Sequence, residues 1–220
     1  MMKKVIIFGL TDLSVRISHH IFQDSQYEIV AYTVEREYMQ EQFLGKPVVP
    51  FERVEEYYPP DLFDMLICVG YTNMNMVRER IFLTAKEKGY RIMTYIHPTA
   101  TVFAESIGEG TIVFPRAIID QFVKIGAMNI FEIGTLVGHH SIIGDFNFFA
   151  GASVLAGNVT IGSNCFLSVN STIKNRISIG DYTLVGAGCY VSKDTDPYSV
   201  QVPVRSITLV GKNSLDMKLS

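Results

Sequence analysis

The chain has 220 residues, enough for one or two domains with a real core, and its 48% hydrophobic and 19% charged residues mark it as globular. A formal net charge of −3 gives no electrostatic case for nucleic acid as a partner. Cys68, Cys165 and Cys189 are widely spaced and form no CxxC pair, which fits reduced thiols in a cytoplasmic protein, not a disulfide framework or a zinc site.

Met1-Met2-Lys3-Lys4 precede an apolar run, Val5 to Leu10, that is too short for a signal peptide and is interrupted by Thr11-Asp12. No other stretch approaches the length of a membrane span. The run reads as a buried strand, Lys4–Phe8, ending in Gly9. Leu13–Phe22 has helical spacing, and Tyr27–Thr33 is rich in β-branched and aromatic residues, as a second strand would be. Asp64–Val69 is a third strand, followed by Gly70-Tyr71. A helix is expected over Met74–Lys88, stopped by Gly89, and a fourth strand over Arg91–Tyr95. Strands alternating with helices imply a small parallel-sheet α/β domain of the Rossmann type over residues 1–96. His97-Pro98 marks its end, since proline cannot continue a ladder.

Ligands of such sheets sit beyond the carboxyl ends of the strands. Those ends present Gly9 to Asp12, Thr33 to Glu35, and Gly70 to Asn75. Gly9, Thr11, Asp12, Thr33, Val34, Gly70, Tyr71 and Asn75 are therefore the candidate substrate-binding residues. After Gly9 there is no second or third glycine, so the dinucleotide fingerprint is absent. A nucleotide-sugar remains compatible, with backbone amides near its phosphates.

From residue 97 to 220 a different period takes over. Stepping by six from Ile107 gives Val113, Ile119, Ile125, Phe131, Val137, Ile143, Phe149, Leu155, Ile161, Leu167, Ile173, Ile179, Val185 and Val191, all apolar. Ile-Gly recurs at 107–108, 125–126, 143–144, 161–162 and 179–180, three hexapeptides apart. Two positions before the stepped residues the side chains are mostly small, as at Thr111, Ser141 and Cys165. Three short strands per eighteen-residue coil predict a triangular prism with the stepped residues inside and small residues or glycine at its corners.

The hexapeptide pattern, the preceding α/β domain and the junction Ile96-His97-Pro98-Thr99-Ala100 together resemble one family over nearly the whole chain. It is the sugar O-/N-acyltransferase family of the sialic acid O-acetyltransferases and the bacillosamine and perosamine N-acetyltransferases. The resemblance implies a left-handed parallel β-helix, where the general crossover rule would give the other hand. It further implies a homotrimer, acetyl-CoA as co-substrate with no resident metal, and a nucleotide-sugar acceptor in surface polysaccharide or O-antigen biosynthesis. The family's base motif is similar to Val137-Gly138-His139-His140-Ser141, which puts His139 at the general base. Members commonly carry an acid after the base, where this chain has His140. Where they carry Asn seven positions earlier it has Glu132, and a second histidine nine residues later is here Phe148. His140 and Glu132 thus join His139 as catalytic candidates, either being able to orient the imidazole. Phe148, Gly157, Val169 and Ala187 match positions that contact the co-substrate.

Two rivals use the same prism. A γ-carbonic-anhydrase-type metal enzyme needs three converging histidines, and the repeat region offers only the adjacent pair His139 and His140. A non-catalytic trimeric binding protein would bind CoA without turnover. His97 reads as a junction residue, and His19 and His20 as solvated helix positions. No role is read for the tail from Val204 to Ser220.

Overall fold

In a computed structural model of the chain, the described residues are 3–23, 27–204 and 210. Most of the C-terminal tail named above therefore lies outside them. Strand β1 (Lys3–Phe8) leads through Gly9 into helix α1 (Asp12–Gln23), and β2 (Tyr27–Val34) returns parallel to β1. The short β3 (Gln42–Phe43) and β4 (Lys46–Pro50) form an antiparallel pair, β4 lying parallel to β2. A single helical turn, α2 (Val54–Tyr57), precedes β5 (Asp64–Ile67), and α3 (Met76–Glu87) follows. The sheet order is β3-β4-β2-β1-β5, a mixed sheet whose strand order reverses between β1 and β5.

Two expectations are corrected here. The fourth strand over Arg91–Tyr95 is reduced to a single bridge between Ile92 and Met65, because Tyr95–Ile96 already pair with Ile112–Val113 in the next sheet. The helix expected from Met74 begins at Met76, because Asn73, Met74 and Asn75 all take left-handed backbone conformations.

From Tyr95 the chain winds as a left-handed parallel β-helix with three sheets. Face A stacks Tyr95–Ile96, Ile112–Val113, Ile130–Phe131, Phe148–Phe149, Phe166–Leu167, Leu184–Val185 and Val200–Gln201. Face B runs from Thr101–Val102 through Leu136–Val137 to Tyr190–Val191, and face C from Ser106–Ile107 through Ile142–Ile143 to Ser178–Ile179. All pairings are parallel; the first two are offset by seventeen residues, and from Ser106–Ile107 onward each strand lies on the one eighteen residues later, until the last coil. From Val113 to Val191 the stepped residues are all buried and form one continuous core. Each is worth roughly 1.5–3 kcal/mol of burial, so this column is the main stabilising element of the prism.

Inside the corners a polar ladder satisfies the backbone. Asn129 Oδ1 accepts the Asn147 N–H at 3.0 Å, and Asn147 Oδ1 accepts that of Cys165 at 2.7 Å. Their side-chain amides donate to the Gly144 and Gly162 carbonyls, both at 2.9 Å.

The corners themselves differ from expectation. Every sixth residue from Gly110 to Gly188 is left-handed, yet only Gly110, Gly134 and Gly188 of that series are glycine. Arg116, Phe122, His140, Phe146, Arg176 and Tyr182 hold the same conformation, and the prism's ladder sustains its cost of about 1–2 kcal/mol each. The Ile-Gly glycines answer a different need, the close approach of one coil to the next. A Cβ on Gly126 would lie 2.8 Å from the Gly144 carbonyl oxygen and run into the Asp145 carboxylate. Gly126→Ala is therefore expected to destabilise the fold by about 1–3 kcal/mol, read as a lower denaturation midpoint with unchanged m-value.

The α/β layer lies on face A. Leu13, Ile17 and Ile21 of α1 share a buried cluster with Ile112, Phe114, Ile130 and Phe148 of the prism. Arg78 of α3 is the deepest link, fully buried. Its guanidinium donates to the carbonyls of Gly70 (2.7 Å), Phe146 (2.7 Å), Met128 (3.1 Å), Asn147 (3.1 Å) and Val69 (3.3 Å). Burial pushes it down to about 9, so it stays charged at neutral pH.

Candidate active site

His139 and His140 form the exposed turn between faces B and C. The turn is locked from below. Ser141 Oγ donates to the Gly138 carbonyl at 2.7 Å and accepts the Val159 N–H at 3.1 Å, while Asn158 N–H donates to the His139 carbonyl at 2.8 Å. The His139 ring lies over the bare Cα of Gly157 on the next coil, where an added Cβ would meet Nε2 at 2.6 Å. Its other nitrogen, Nδ1, is 3.0 Å from Nδ1 of His140. His140 in turn packs on Phe122 of the preceding coil, ring centroids 4.6 Å apart. Base candidate, neighbouring imidazole and glycine thus share one corner.

Glu132 is held elsewhere. It precedes the corner between faces A and B, where Arg16 of α1 grips it through two hydrogen bonds of 2.8 and 2.6 Å. The hydrogen bond to Glu132 raises Arg16 above its ordinary value, against the effect of burial. Arg16 also stacks on Phe114 at 4.3 Å. His20 joins this cluster and is not simply solvated. Its ring lies 4.7 Å from that of His97 and 5.9 Å from Phe114. Burial, then the neighbouring His97, lowers its proton affinity.

The four co-substrate candidates separate. Gly157 adjoins His139. Val169 and Ala187 lie on the corner between faces A and B, with Gly134, Gly151, Ala152 and Gly188 on the same edge. A Cβ on Gly134 or Gly188 would meet nothing within 4 Å, so this edge presents open backbone. Phe148 instead is buried on face A, under Tyr71 at a ring distance of 5.1 Å.

A cleft of about 700 Å³ opens beyond the carboxyl ends of β1, β2 and β5, at the point where strand order reverses. Gly9, Thr11 and Val34 line it, together with Glu35, Glu37, Tyr38 and Arg80. Arg80 and Glu35 are joined by bonds of 2.7 and 3.0 Å. Gly9 is required by its left-handed φ of 112° and because a Cβ would lie 2.7 Å from the Cys68 carbonyl oxygen. The other candidates fall outside the lining. Asp12 opens α1, and Thr33 is buried with its hydroxyl on the Val49 carbonyl at 2.9 Å. Tyr71 and Asn75 face the prism: Asn75 donates to the Cys165 carbonyl at 3.1 Å, and Tyr71 stacks on Phe148 and Phe166, while the Gly70 carbonyl accepts from Arg78 at 2.7 Å. The loop beyond Glu35, residues 37–40, and Arg80 of α3 were the missed part of the lining, and only the loop's position after a strand end could have flagged it.

Residues 158–193 match the bacterial transferase hexapeptide family (six repeats). The acetyltransferase domain of PglB from Neisseria gonorrhoeae, solved with acetyl coenzyme A, superposes with a TM-score of 0.81 at 21% identity, covering 93% of this chain and 100% of that one. The chain has the fold of these acetyltransferases. PerB from Caulobacter crescentus, solved with CoA and GDP-perosamine, gives a TM-score of 0.79 at 24% identity over 91% of this chain and 94% of that one. WeeI from Acinetobacter baumannii gives 0.78 at 21% identity, covering 91% and 96%. Among curated relatives, the bifunctional protein GlmU of Nitratidesulfovibrio vulgaris is 26% identical over 137 residues, 53% of this chain and 30% of that protein. GlmU of Thermotoga maritima is 34% identical over 104 residues, 42% and 23% respectively. The chain thus spans less than a third of the length of these curated relatives. Among the described residues no helix is long and apolar enough to cross a membrane, and no three metal-ligating side chains converge.

Proposed function

We propose that this protein transfers an acetyl group from acetyl-CoA to the amine, or failing that a hydroxyl, of a nucleotide-linked sugar destined for a surface glycan. The observation that carries the reading is the His139 imidazole, exposed at a prism corner, with Nε2 over the bare Cα of Gly157 and Nδ1 engaged by its neighbour. An imidazole so placed has the geometry of a general base. Nε2 of His139 would accept the acceptor's proton as nitrogen bonds to the thioester carbonyl carbon. The carbon–sulfur bond then breaks, and the proton passes from His139 to the departing thiolate. The open edge carrying Val169, Ala187 and Gly188 has the smooth backbone that a pantetheine arm needs. The cleft at Gly9, Thr11 and Val34 is where the nucleotide would sit, its phosphates toward the start of α1.

No residue of the prism lines that cleft, and His139 and Val169 stand on different corners. A second copy of the chain is therefore part of the reading. The corner between faces B and C of one copy would meet the corner between A and B of the next, the arrangement a cyclic trimer closes. Exposed Ile118, Leu136 and Ile142 on faces B and C are the apolar surface such packing would bury. Placement of residues 1–96 as the nucleotide-sugar module and of the remainder as the acyltransferase module belongs to the same proposal, as does a cytoplasmic location, where acetyl-CoA is made.

The test is release of free thiol from acetyl-CoA in the presence of a panel of amino-sugar nucleotides, alongside light scattering for the mass of the assembly. Turnover with one member and a trimer are expected. Saturable CoA binding without turnover on any amino or hydroxyl acceptor would sink the enzyme reading.

A further inference from the structure

His139 and His140 meet through like atoms. Their Nδ1 atoms are 3.0 Å apart, the rings perpendicular at 88°. Between two facing ring nitrogens there is room for one hydrogen. If it sits on His139, then His139 Nε2 is a bare lone pair, able to act as a base. If it sits on His140, His139 carries its proton on Nε2 and cannot. His140 is itself held in place: its backbone takes φ 58°, its N–H donates to the Gln121 carbonyl at 3.0 Å, and its ring leans on Phe122 at 37°.

Resting on His139 as the base, we propose that His140 is a positioning residue, a neutral imidazole acceptor that holds His139 in its Nδ1–H tautomer. As His139 takes the acceptor's proton on Nε2, its Nδ1–H stays bonded to His140 or passes across to it. In the second case the positive charge moves to a ring lying against the aromatic face of Phe122, which favours a cation. A carboxylate at 140 would do the first task by ion pairing. The imidazole does it without a fixed negative charge. On the two adjoining turns of this corner, residues 120–123 and 156–159, the charged residue is Asp120; Glu105, Lys174 and Arg176 stand one coil further, and among the described residues none pairs with either ring.

Two readouts test this. Nitrogen-15 NMR of the histidine-labelled full chain at pH 8 reports each tautomer directly. His139 is expected as Nδ1–H in the unmodified protein and as a mixture in His140→Phe. Phenylalanine is already accepted in the same left-handed conformation at Phe122 and Phe146, so this variant should fold. Finding His139 as Nε2–H in the unmodified protein would overturn the proposal whether or not the enzyme turns over. The expected tautomer without any acyl transfer would keep it and sink only the proposed function. In kinetics, His140→Phe should lower kcat by about tenfold or more with KM for acetyl-CoA unchanged. His140→Glu should restore most of the rate and move the acid limb of kcat/KM to higher pH, because a carboxylate stabilises protonated His139. An acid limb that does not move in His140→Glu would mean that residue 140 only packs.

Discussion

Gly157→Ala is expected to abolish turnover almost as completely as His139→Ala, although it removes no functional group. A methyl at position 157 would stand 2.6 Å from Nε2 and 2.7 Å from Cε1 of His139, inside van der Waals contact. The ring would have to leave the place where its lone pair meets the acceptor. Gly157 does not lie in the left-handed region, so its backbone accommodates alanine without strain, and the corner is exposed, so the coil should survive. General-base loss costs about 10²–10⁴ in kcat, and Gly157→Ala should fall in the same range with circular dichroism and Tm close to those of the parent. The double variant decides whether the effect runs through the ring. If it does, Gly157→Ala/His139→Ala is no slower than His139→Ala alone, a non-additive pair. Independent, multiplying losses would show that Gly157 matters for binding the pantetheine arm instead. Parental rates in Gly157→Ala would remove His139 from the chemistry altogether.

The prism was legible because its code is local and repeated. One apolar side chain every six residues fixes which atoms face inward, and no distant contact can reverse a pattern that fifteen successive positions enforce. Its corner chemistry was less so. The left-handed residues follow the period, but the sequence writes them as Arg116, Phe122, His140 or Tyr182, types that carry no turn signal by themselves. In the α/β layer the strand Lys46–Pro50 went unread because Pro47 and Pro50 argue against a strand; Pro47 lies opposite the two-residue edge strand β3 and Pro50 is the strand's last residue, positions that tolerate both. His139 was singled out through its motif. Its contact with Gly157 was not, since eighteen residues separate them in sequence and one coil separates them in space. Tyr71 and Asn75 were read as ligand contacts because they follow a strand end, and Phe148 because the family resemblance placed it by the co-substrate, but all three pack at the junction of sheet and prism. Side chains at the junction of two layers pack on each other before they can reach a ligand.

Arg78 was invisible in the sequence for a related reason: an arginine in an amphipathic helix reads as a solvated face. The fold instead makes it the link between the two layers, and its removal is the largest stability effect expected in this chain. Arg78→Met keeps the apolar length of the side chain and deletes its donors to the Val69, Gly70, Met128, Phe146 and Asn147 carbonyls. The Asn147 carbonyl keeps the Ile130 N–H, and each of the others, left without a partner, costs about 1–3 kcal/mol. Backbone relaxation and entering water recover part of this, so a net loss of at least about 3 kcal/mol is expected. For a chain of this size that lowers Tm by about 6–12 °C. Arg78→Lys should rescue little, because an ammonium group has three donors at one point and cannot span carbonyls on both layers. The loss should also be uneven. The prism has its own core from Val113 to Val191, while the α/β layer shares its second core with face A. Brief proteolysis of Arg78→Met should therefore cut within residues 1–96 and leave a resistant fragment beginning near His97. A variant that melts at the parental temperature, or loses both layers together, would mean that the apolar cluster of Ile17, Ile112 and Ile130 holds the layers without Arg78.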